Sequence, residues 1–353
     1  YGYGREHLER ILAPMALEGA IPVGSMGDDT PLPVLSENPQ RLYSFFMQRF
    51  AQVTNPPIDP LRERLVMSLT TRISTEGQLL DREPHASLIE FESPVISAGH
   101  LAWLERETDS VRLDATFAAE TGLAGLEAAL RRLRADGEQA VRNGARVLIV
   151  SDRQVGAERL PIPMLLATGG LHHHLVRTGL GVGAAIVADA GDVIEDHDVA
   201  CLVGFGAMLV HPWLAYESAA GIARKDPDAP MAENSAARNY RHALQAGLLK
   251  IMAKLGIADV NSFRGAQTFE ALGIAERVAA EYFTDCPSRI GGVTLEDIAA
   301  SLFAFHADAH GDDTLLRELG LYRFRRDGEY HAFHPGVFKW LHKAVREQDA
   351  DAY

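Results

Sequence analysis

Between Val111 and Val210, short apolar runs alternate with longer stretches of helical spacing, and this alternation constrains the fold more than any other feature of the chain. Val111 to Phe117 reads as a strand, and Leu123 to Arg142 as a long amphipathic helix. Arg146 to Ser151 contains the unbroken run Val147-Leu148-Ile149-Val150, the pattern of a strand covered on both faces. Ile162 to Arg177 is helical again, Ala184 to Ala188 is a third strand, Asp196 to Gly204 a short helix and Ala207 to Val210 a fourth strand. Strands joined through helices run parallel, and their functional loops lie at the carboxyl ends. The expected class is α/β: a partial (βα) barrel-like parallel core of about four βα units, a reduced TIM-barrel type, with flanking helices. Four units make half of an eight-unit barrel and equally a small open sheet, and spacing alone leaves both open.

The flanks read differently. Arg5 to about Gly19 is a short amphipathic helix with Gly19 as its stop. Ile21 to Ser36 gathers Pro22, Pro31 and Pro33 with Gly24, Gly27, Asp28 and Asp29 into a structured loop. A second helix is expected from about Asn38 to Gln52, broken by Thr54-Asn55-Pro56-Pro57. A third begins near Asp59, with Pro60 in its first turn and Leu61, Leu65 and Leu69 on one face. Past Tyr216, Arg224 to Asn234 reads as a surface loop, and Tyr240 to Leu255, Glu270 to Tyr282 and Leu295 to His306 read as helices. Tyr322 to Tyr330 alternates aromatic and basic residues, a hairpin pattern turning at Asp327-Gly328. The organisation is thus an N-terminal helical and loop segment over 1–87, a parallel βα core over 88–222 and a helical segment over 223–353.

Composition narrows the partners. Lys plus Arg number 34 against 48 Asp plus Glu, a net charge of −14, which disfavours nucleic-acid phosphates and anionic membrane surfaces alike. No apolar run approaches the ~20 residues that span a bilayer, and the N-terminus lacks the pattern of a signal peptide. The expectation is a cytoplasmic chain with no nucleic-acid or membrane partner. Its start at Tyr1 in place of Met suggests an excised or processed piece. Cys201 and Cys286 are too few for an iron-sulfur cluster or a four-cysteine zinc site.

No catalytic constellation is complete. Asp28 and Asp29 are adjacent carboxylates that suit a divalent cation, but adjacent side chains point apart, and capping of the turn accounts for them as well. His172, His173 and His174 fan out by about 100° per residue on a helix and cannot all meet one metal. Gly179, Gly181 and Gly183 precede a strand, the wrong context for a dinucleotide fingerprint. Neither Cys201, inside an apolar stretch, nor Cys286, before Pro287, has the marks of an activated nucleophile. Ser288-Arg289-Ile290-Gly291-Gly292 fits an anion loop and an ordinary helix start equally. The residues alone also admit a free-standing half-barrel lyase or hydrolase, with a metal held by Asp28, Asp29 and one histidine of the cluster.

Three loops are more particular: Pro22-Val23-Gly24-Ser25-Met26-Gly27-Asp28-Asp29-Thr30-Pro31, Phe50-Ala51-Gln52-Val53-Thr54-Asn55-Pro56-Pro57-Ile58-Asp59-Pro60, and His172-His173-His174. With Ile149-Val150-Ser151-Asp152-Arg153, Gly247-Leu248-Leu249-Lys250-Ile251-Met252, Phe263-Arg264-Gly265-Ala266-Gln267 and Ser288-Arg289-Ile290-Gly291-Gly292, the chain resembles the central domain of the glutamate synthase large subunit, in family order to about Pro335. The resemblance implies a connecting domain, non-catalytic by itself, between a glutamine amidotransferase domain and an FMN-binding synthase domain of the same polypeptide. FMN and an iron-sulfur cluster are then expected in the full-length enzyme and no cofactor or metal in this chain. A reductase subunit or ferredoxin would supply electrons. The resemblance further implies that Met26 and Thr54 lie near the mouth of an intramolecular ammonia tunnel, with Asp28, Asp29 and Asn55 shaping its loops. A thioether can gate a narrow passage and a threonine hydroxyl can hydrogen-bond ammonia.

Overall fold

A computed structural model describes residues 1–24, 27–50, 59, 61–74, 88–225, 233–311 and 315–352. Its centre is a four-stranded parallel sheet of β1 (Ser110–Asp114), β2 (Val147–Ser151), β3 (Ala185–Asp189) and β4 (Leu209–His211). The strands lie in the order in which the chain makes them, each hydrogen-bonded to the next. An open doubly wound sheet reverses its order at a switch point, whereas a barrel advances strand by strand. The observed order is the barrel's. Helices α1 (Gly122–Arg142), α2 (Met164–Arg177) and α3 (Asp196–Gly204) connect the strands, and α4 (Trp213–Lys225) and α5 (Glu233–Leu255) follow.

Both faces of the sheet are covered, which is why its strands read as continuous apolar runs. Leu148, Val150, Ile186, Ala188 and Val210 face the larger core, with Leu126, Leu130, Leu166 and Leu171 from α1 and α2. Val147, Ile149, Ala185, Val187 and Leu209 face the other way, onto Leu101 and Leu104 of the helix Ala98–Glu107 and onto Ile73 and Phe91 of an antiparallel pair. Burying each of the larger of these side chains, the valines, leucines, isoleucines and Phe91, contributes roughly 1.5–3 kcal/mol. The outer edge of β4 is occupied as well: Val210 donates its N–H to Pro94 O (2.7 Å) and Ile96 donates to Val210 O (3.0 Å). An open edge would otherwise present unpaired backbone groups.

The larger core draws on all parts of the chain, from Leu12 and Phe46 to Tyr240, Phe269 and Leu302. The first helix winds as a wide turn over His7–Leu12 and continues as Ala13–Glu18, ending at Gly19, whose φ of 66° suits a left-handed cap. Asn239 of α5 donates to Ala16 O (3.0 Å) and Leu17 O (3.3 Å), satisfying carbonyls at that end.

Several expected elements differ. The strand expected from Val111 to Phe117 is two strands, because Asp114 Oδ1 accepts from the N–H (3.0 Å) and hydroxyl (2.6 Å) of Thr116, a local turn that breaks the ladder. Thr116–Ala118 then pairs with Arg159–Pro161. The helix expected over Asn38–Gln52 is a short 3-10 turn, Leu42–Phe45, running into a strand, Phe46–Gln48. Adjacent Phe45 and Phe46 are both buried, which a strand between two packed faces allows. Only Glu63–Val66 is helical in the third segment; Leu61 and Leu65 are 88% and 83% exposed, so no face of it is buried as expected. Glu270 to Tyr282 opens as a strand, Phe269–Ile274, before its helix begins at Glu276. Ser288–Val293 is likewise a strand, parallel to Phe269–Ile274, and no anion loop; it leads straight into Thr294, which caps the helix Leu295–Ala309, so the helix-entry reading holds. Residues 322–330 form no hairpin; Asp327, with φ of 64°, makes a turn between irregular segments.

Candidate functional site at the carboxyl end of the sheet

Strand register places the last residues of the four strands on one rung: Asp114 opposite Ser151, Ser151 opposite Asp189, and Asp189 opposite His211. Side chains alternate along a strand, so Arg112, two residues before Asp114, projects to the face that this rung uses. Asp189 is completely buried and is the hub. Its Oδ2 accepts from Arg112 Nη1 (2.8 Å), from Ser151 Oγ (2.8 Å) and from Arg153 Nε (3.2 Å), and its Oδ1 lies 2.7 Å from His211 Nδ1. Burial opposes ionisation of Asp189, but the hydrogen bond and charge of His211, the hydrogen bond of Arg112 and the charge of Arg153 outweigh it and bring the carboxyl down to about 2.

An ionised carboxylate can only accept, so His211 donates through Nδ1–H, and Nε2 is the ring nitrogen left over. That Nε2 is buried and has no hydrogen-bond partner among the described residues, and His211 as a whole is 1% exposed. His211 lines a cavity of about 960 Å³. Residues 89–92, the start of Ala98–Glu107, α4 and α5 form its walls, with Arg153, Trp213, Tyr216 and Arg241 among the lining side chains.

Asp152 follows Ser151 and is also completely buried. It accepts from Gly191 N–H at 2.9 and 3.1 Å and from Trp213 Nε1 (2.7 Å). Burial above all, then the neighbouring charge of Asp192, pushes its carboxyl up to about 7 against those hydrogen bonds. The Arg153 guanidinium lies over the Trp213 ring, 5.0 Å from its centroid.

The residues singled out from sequence lie elsewhere. Met26, Thr54 and Asn55 fall outside the described residues. Asp28 Oδ1 accepts from the N–H (3.0 Å) and hydroxyl (2.6 Å) of Thr30. Asp29 reaches the far end of the chain: Oδ1 lies 2.7 Å from His331 Nδ1 and Oδ2 accepts from Phe333 N–H (3.0 Å). Of the three histidines, His174 turns away, its Nε2 to Glu138 Oε2 (2.7 Å), while His172 and His173 meet edge-on with centroids 5.1 Å apart and His172 lies beneath Gly206, whose φ is 112°. A Cβ at Gly206 would lie 2.2 Å from His172 Cγ, so only glycine fits. Burial pushes both His172 and His173 down to about 4. No group of three or more His, Cys, Asp and Glu among the described residues could hold a metal ion. Both cysteines are buried; burial first raises the Cys201 thiol well above its ordinary value and the Cys286 thiol to about 12.

Sequence reasoning missed Asp189 and His211. Their signal was slight: a charged or polar residue closing each apolar run, a pattern that gains meaning only when register aligns the four strand ends.

Residues 1–275 match the family described as glutamate synthase central domain. The ferredoxin-dependent glutamate synthase 2 of Arabidopsis thaliana is 40% identical over 370 residues, taking in 100% of this chain and 23% of that protein. The large chain of the NADPH glutamate synthase of Azospirillum brasilense is 40% identical over 349 residues, 98% of this chain and 23% of that one. The NADH glutamate synthase of Schizosaccharomyces pombe is 38% identical over 366 residues, 100% and 17%. The chain thus spans about a quarter or less of the length of these curated relatives. Among solved structures, the flavin-binding domain of baker's yeast flavocytochrome b2 is 14% identical with a TM-score of 0.33, covering 65% of this chain and 47% of that one. On the match over residues 1–275, the chain belongs to the glutamate synthase central domain family.

Proposed function

We propose that the chain is the connecting part of a glutamate synthase large chain, holding a glutamine amidotransferase domain and an FMN-binding synthase domain in register. Ammonia released from glutamine would cross to the synthase centre, where 2-oxoglutarate is reductively aminated to glutamate. The observation that carries this reading is identity of about 40% from one end of the chain to the other with proteins several times longer. The free-standing metal-assisted alternative finds no support: Asp28 and Asp29 are spent on separate contacts, one with Thr30 and one with residues 331–333.

FMN and an iron-sulfur cluster belong to the rest of such an enzyme. Two buried cysteines with raised thiol pKa do not fit a thiolate-held cluster. Electrons would come from ferredoxin or a reductase subunit, and the location would be cytoplasmic, or a plastid in the plant relatives, whose names read chloroplastic. No helix among the described residues is long and apolar enough to cross a membrane.

In this reading Met26 gates the mouth of the ammonia tunnel and the Thr54 hydroxyl hydrogen-bonds ammonia, with Asn55 beside it. Asp28 and Asp29 fix the loop that carries Met26, which their hydrogen bonds support. The test is Thr54→Val in the intact enzyme, measuring glutamine hydrolysed per glutamate formed. The expected result is excess hydrolysis with both half-reactions intact, and an unchanged ratio removes Thr54 from the tunnel.

A further inference from the structure

Arginines drawn into this fold are met by acids. Arg41 Nη2 lies 2.6 Å from Asp198 Oδ2, Arg112 Nη1 2.8 Å from Asp189 Oδ2 and Arg134 Nη1 2.9 Å from Glu281 Oε1. Arg264 differs: half-buried, it makes no ion pair and no side-chain hydrogen bond among the described residues. Burial alone lowers its pKa, with no neighbouring charge acting on it. A guanidinium nonetheless keeps its proton. Its Nε is sealed without a partner, and its two terminal nitrogens are not sealed. The loop that carries it is fixed. Phe263 before it is completely buried against Phe269, Arg264 N–H donates to Val260 O (3.0 Å), and Gly265 N–H donates to Val203 O (3.2 Å) at the end of α3. Gly265 also rests on the end of α2: a Cβ there would lie 3.4 Å from His172 Nε2, and the charge of Arg264 adds to the depression of His172 after burial and His173. Phe263–Gln267 and His172–His174 are two of the particular stretches of the sequence, and the tunnel reading uses neither.

The surroundings supply no counter-ion. Arg49, whose N–H donates to Thr268 O (2.7 Å), has no ion-pair partner among the described residues either. Residues 51–58, next in the chain, contain no acid. The chain as a whole carries 48 Asp and Glu against 34 Lys and Arg, so this local deficit runs against its composition. A charge half out of water is costly unless it is paired. A planar fork with both terminal nitrogens open matches a carboxylate through two parallel bonds. We propose that Arg264 receives the carboxylate of an aspartate or glutamate from another part of a longer synthase polypeptide, docked over residues 263–268. The proposal rests on the reading of the chain as one part of such a protein, whose 40% identical relatives are several times longer. Met47 and Phe50, both exposed and on the same segment as Arg49, add apolar area for the docked part.

The experiment compares the 353-residue chain with the full-length protein by two readouts, phenylglyoxal modification of Arg264 mapped by mass spectrometry and hydrogen exchange over residues 263–268. The expected result is that Arg264 reacts in the 353-residue chain and is protected about 10-fold or more in the full-length protein. Arg264→Met should then act differently in the two. In the full-length protein it strands the docked carboxylate and speeds exchange about 10-fold or more, the loss of one charge-assisted pair. In the 353-residue chain it removes an unanswered charge and leaves exchange unchanged or slower. Arg264→Lys, which keeps the charge and loses the fork, should fall between in the full-length protein. Equal reactivity of Arg264 in the two proteins overturns the proposal. So does protection without faster exchange in Arg264→Met, because the cover is then apolar. Protection of the 353-residue chain by millimolar acetate or 2-oxoglutarate, to the degree seen in the full-length protein, would assign the site to a free carboxylate and overturn the polypeptide source. Should Arg264→Met fail to fold, Arg264→Lys decides the matter, and wild-type exchange in that variant overturns the assignment. Neither readout measures ammonia transfer, so a failure here and a failure of the Thr54→Val test are told apart.

Discussion

Two aspartates stand at the carboxyl end of the same sheet, both completely buried, and their carboxyls are shifted in opposite directions. Asp189 is ringed by Arg112, Arg153 and His211 and is ionised, its carboxyl down at about 2. Asp152 accepts from neutral donors, the Trp213 indole and the Gly191 amide, beside a second carboxylate, Asp192; its carboxyl rises to about 7. Their backbones touch, Asp152 N–H donating to Asp189 O at 3.3 Å. Burial alone therefore does not set the charge of a buried acid; the charge of its partners does. The side of the rung that faces the cavity is the ionised one, where a fixed carboxylate orients an imidazole.

Asn in place of each aspartate probes this contrast most strongly. Asp189→Asn leaves two guanidinium groups and an imidazole without their common counter-ion, and breaking a buried pair from one side costs about 3–5 kcal/mol. Asp152→Asn replaces a carboxyl that is largely protonated at pH 5 by an amide that still accepts from Trp213 and Gly191, so at that pH it should cost less than ~1 kcal/mol. Urea unfolding of both variants checks the difference. Equal losses would mean that the two acids share one electrostatic state.

The pH dependence gives the next, smaller effect, with opposite signs at the two sites. A folded Asp152 keeps its proton until about pH 7, whereas an unfolded aspartate loses it near 3.9. Its contribution is complete below the unfolded value and fades as pH rises toward 7, at no more than about 1.4 kcal/mol per pH unit for one proton. Asp152→Asn should flatten that decline between pH 4 and 7 as followed by thermal unfolding. Asp189 acts in reverse: its contribution is present above the unfolded value and lost only as pH falls toward 2. A variant slope equal to the wild type's would place Asp152 among ordinary carboxylates.

The same contrast explains what the sequence disclosed. Val147–Ser151, Ala185–Asp189 and Asp196–Gly204 stand at or within a residue of their expected positions, because a strand covered on both faces must be apolar throughout and a short helix between strands has few other registers. Barrel order was not readable, since it depends on which strand ends pair. Phe46–Gln48 and Ser288–Val293 were hidden because their stabilising partner, Phe269–Ile274, is remote in sequence. The Asp189–His211 pair was hidden for that reason too: 22 residues separate two groups that only sheet register brings to 2.7 Å. Asp28 and Asp29 drew notice as neighbours, yet their contacts diverge, one to Thr30 and one across 302 residues to His331.

That last contact supplies the smallest expected effect, because it repeats the carboxylate–imidazole pair of Asp189 and His211 near solvent. His331 lies between Asp29 Oδ1 and Gly320 O, both at 2.7 Å. Burial works against its proton, but the Gly320 carbonyl and Asp29 prevail and raise its pKa, while the His331 bond first and the Phe333 amide second lower that of Asp29. The pair therefore contributes above the ordinary carboxylate range, where Asp29 is ionised, and loses its contribution as pH rises through the raised value of His331. Solvent screens such a pair, so Asp29→Asn should leave the unfolding midpoint almost unmoved. The expected change is local: faster amide exchange at Ala332 and Phe333, whose N–H groups are bonded to Asp29. Wild-type protection of these two amides should likewise decline on the alkaline side of the His331 titration, while the amides around Asp189 keep theirs. If exchange at 331–333 were insensitive both to Asp29→Asn and to pH, the loop and the C-terminal segment would be held by packing, and charge would govern only the buried rung.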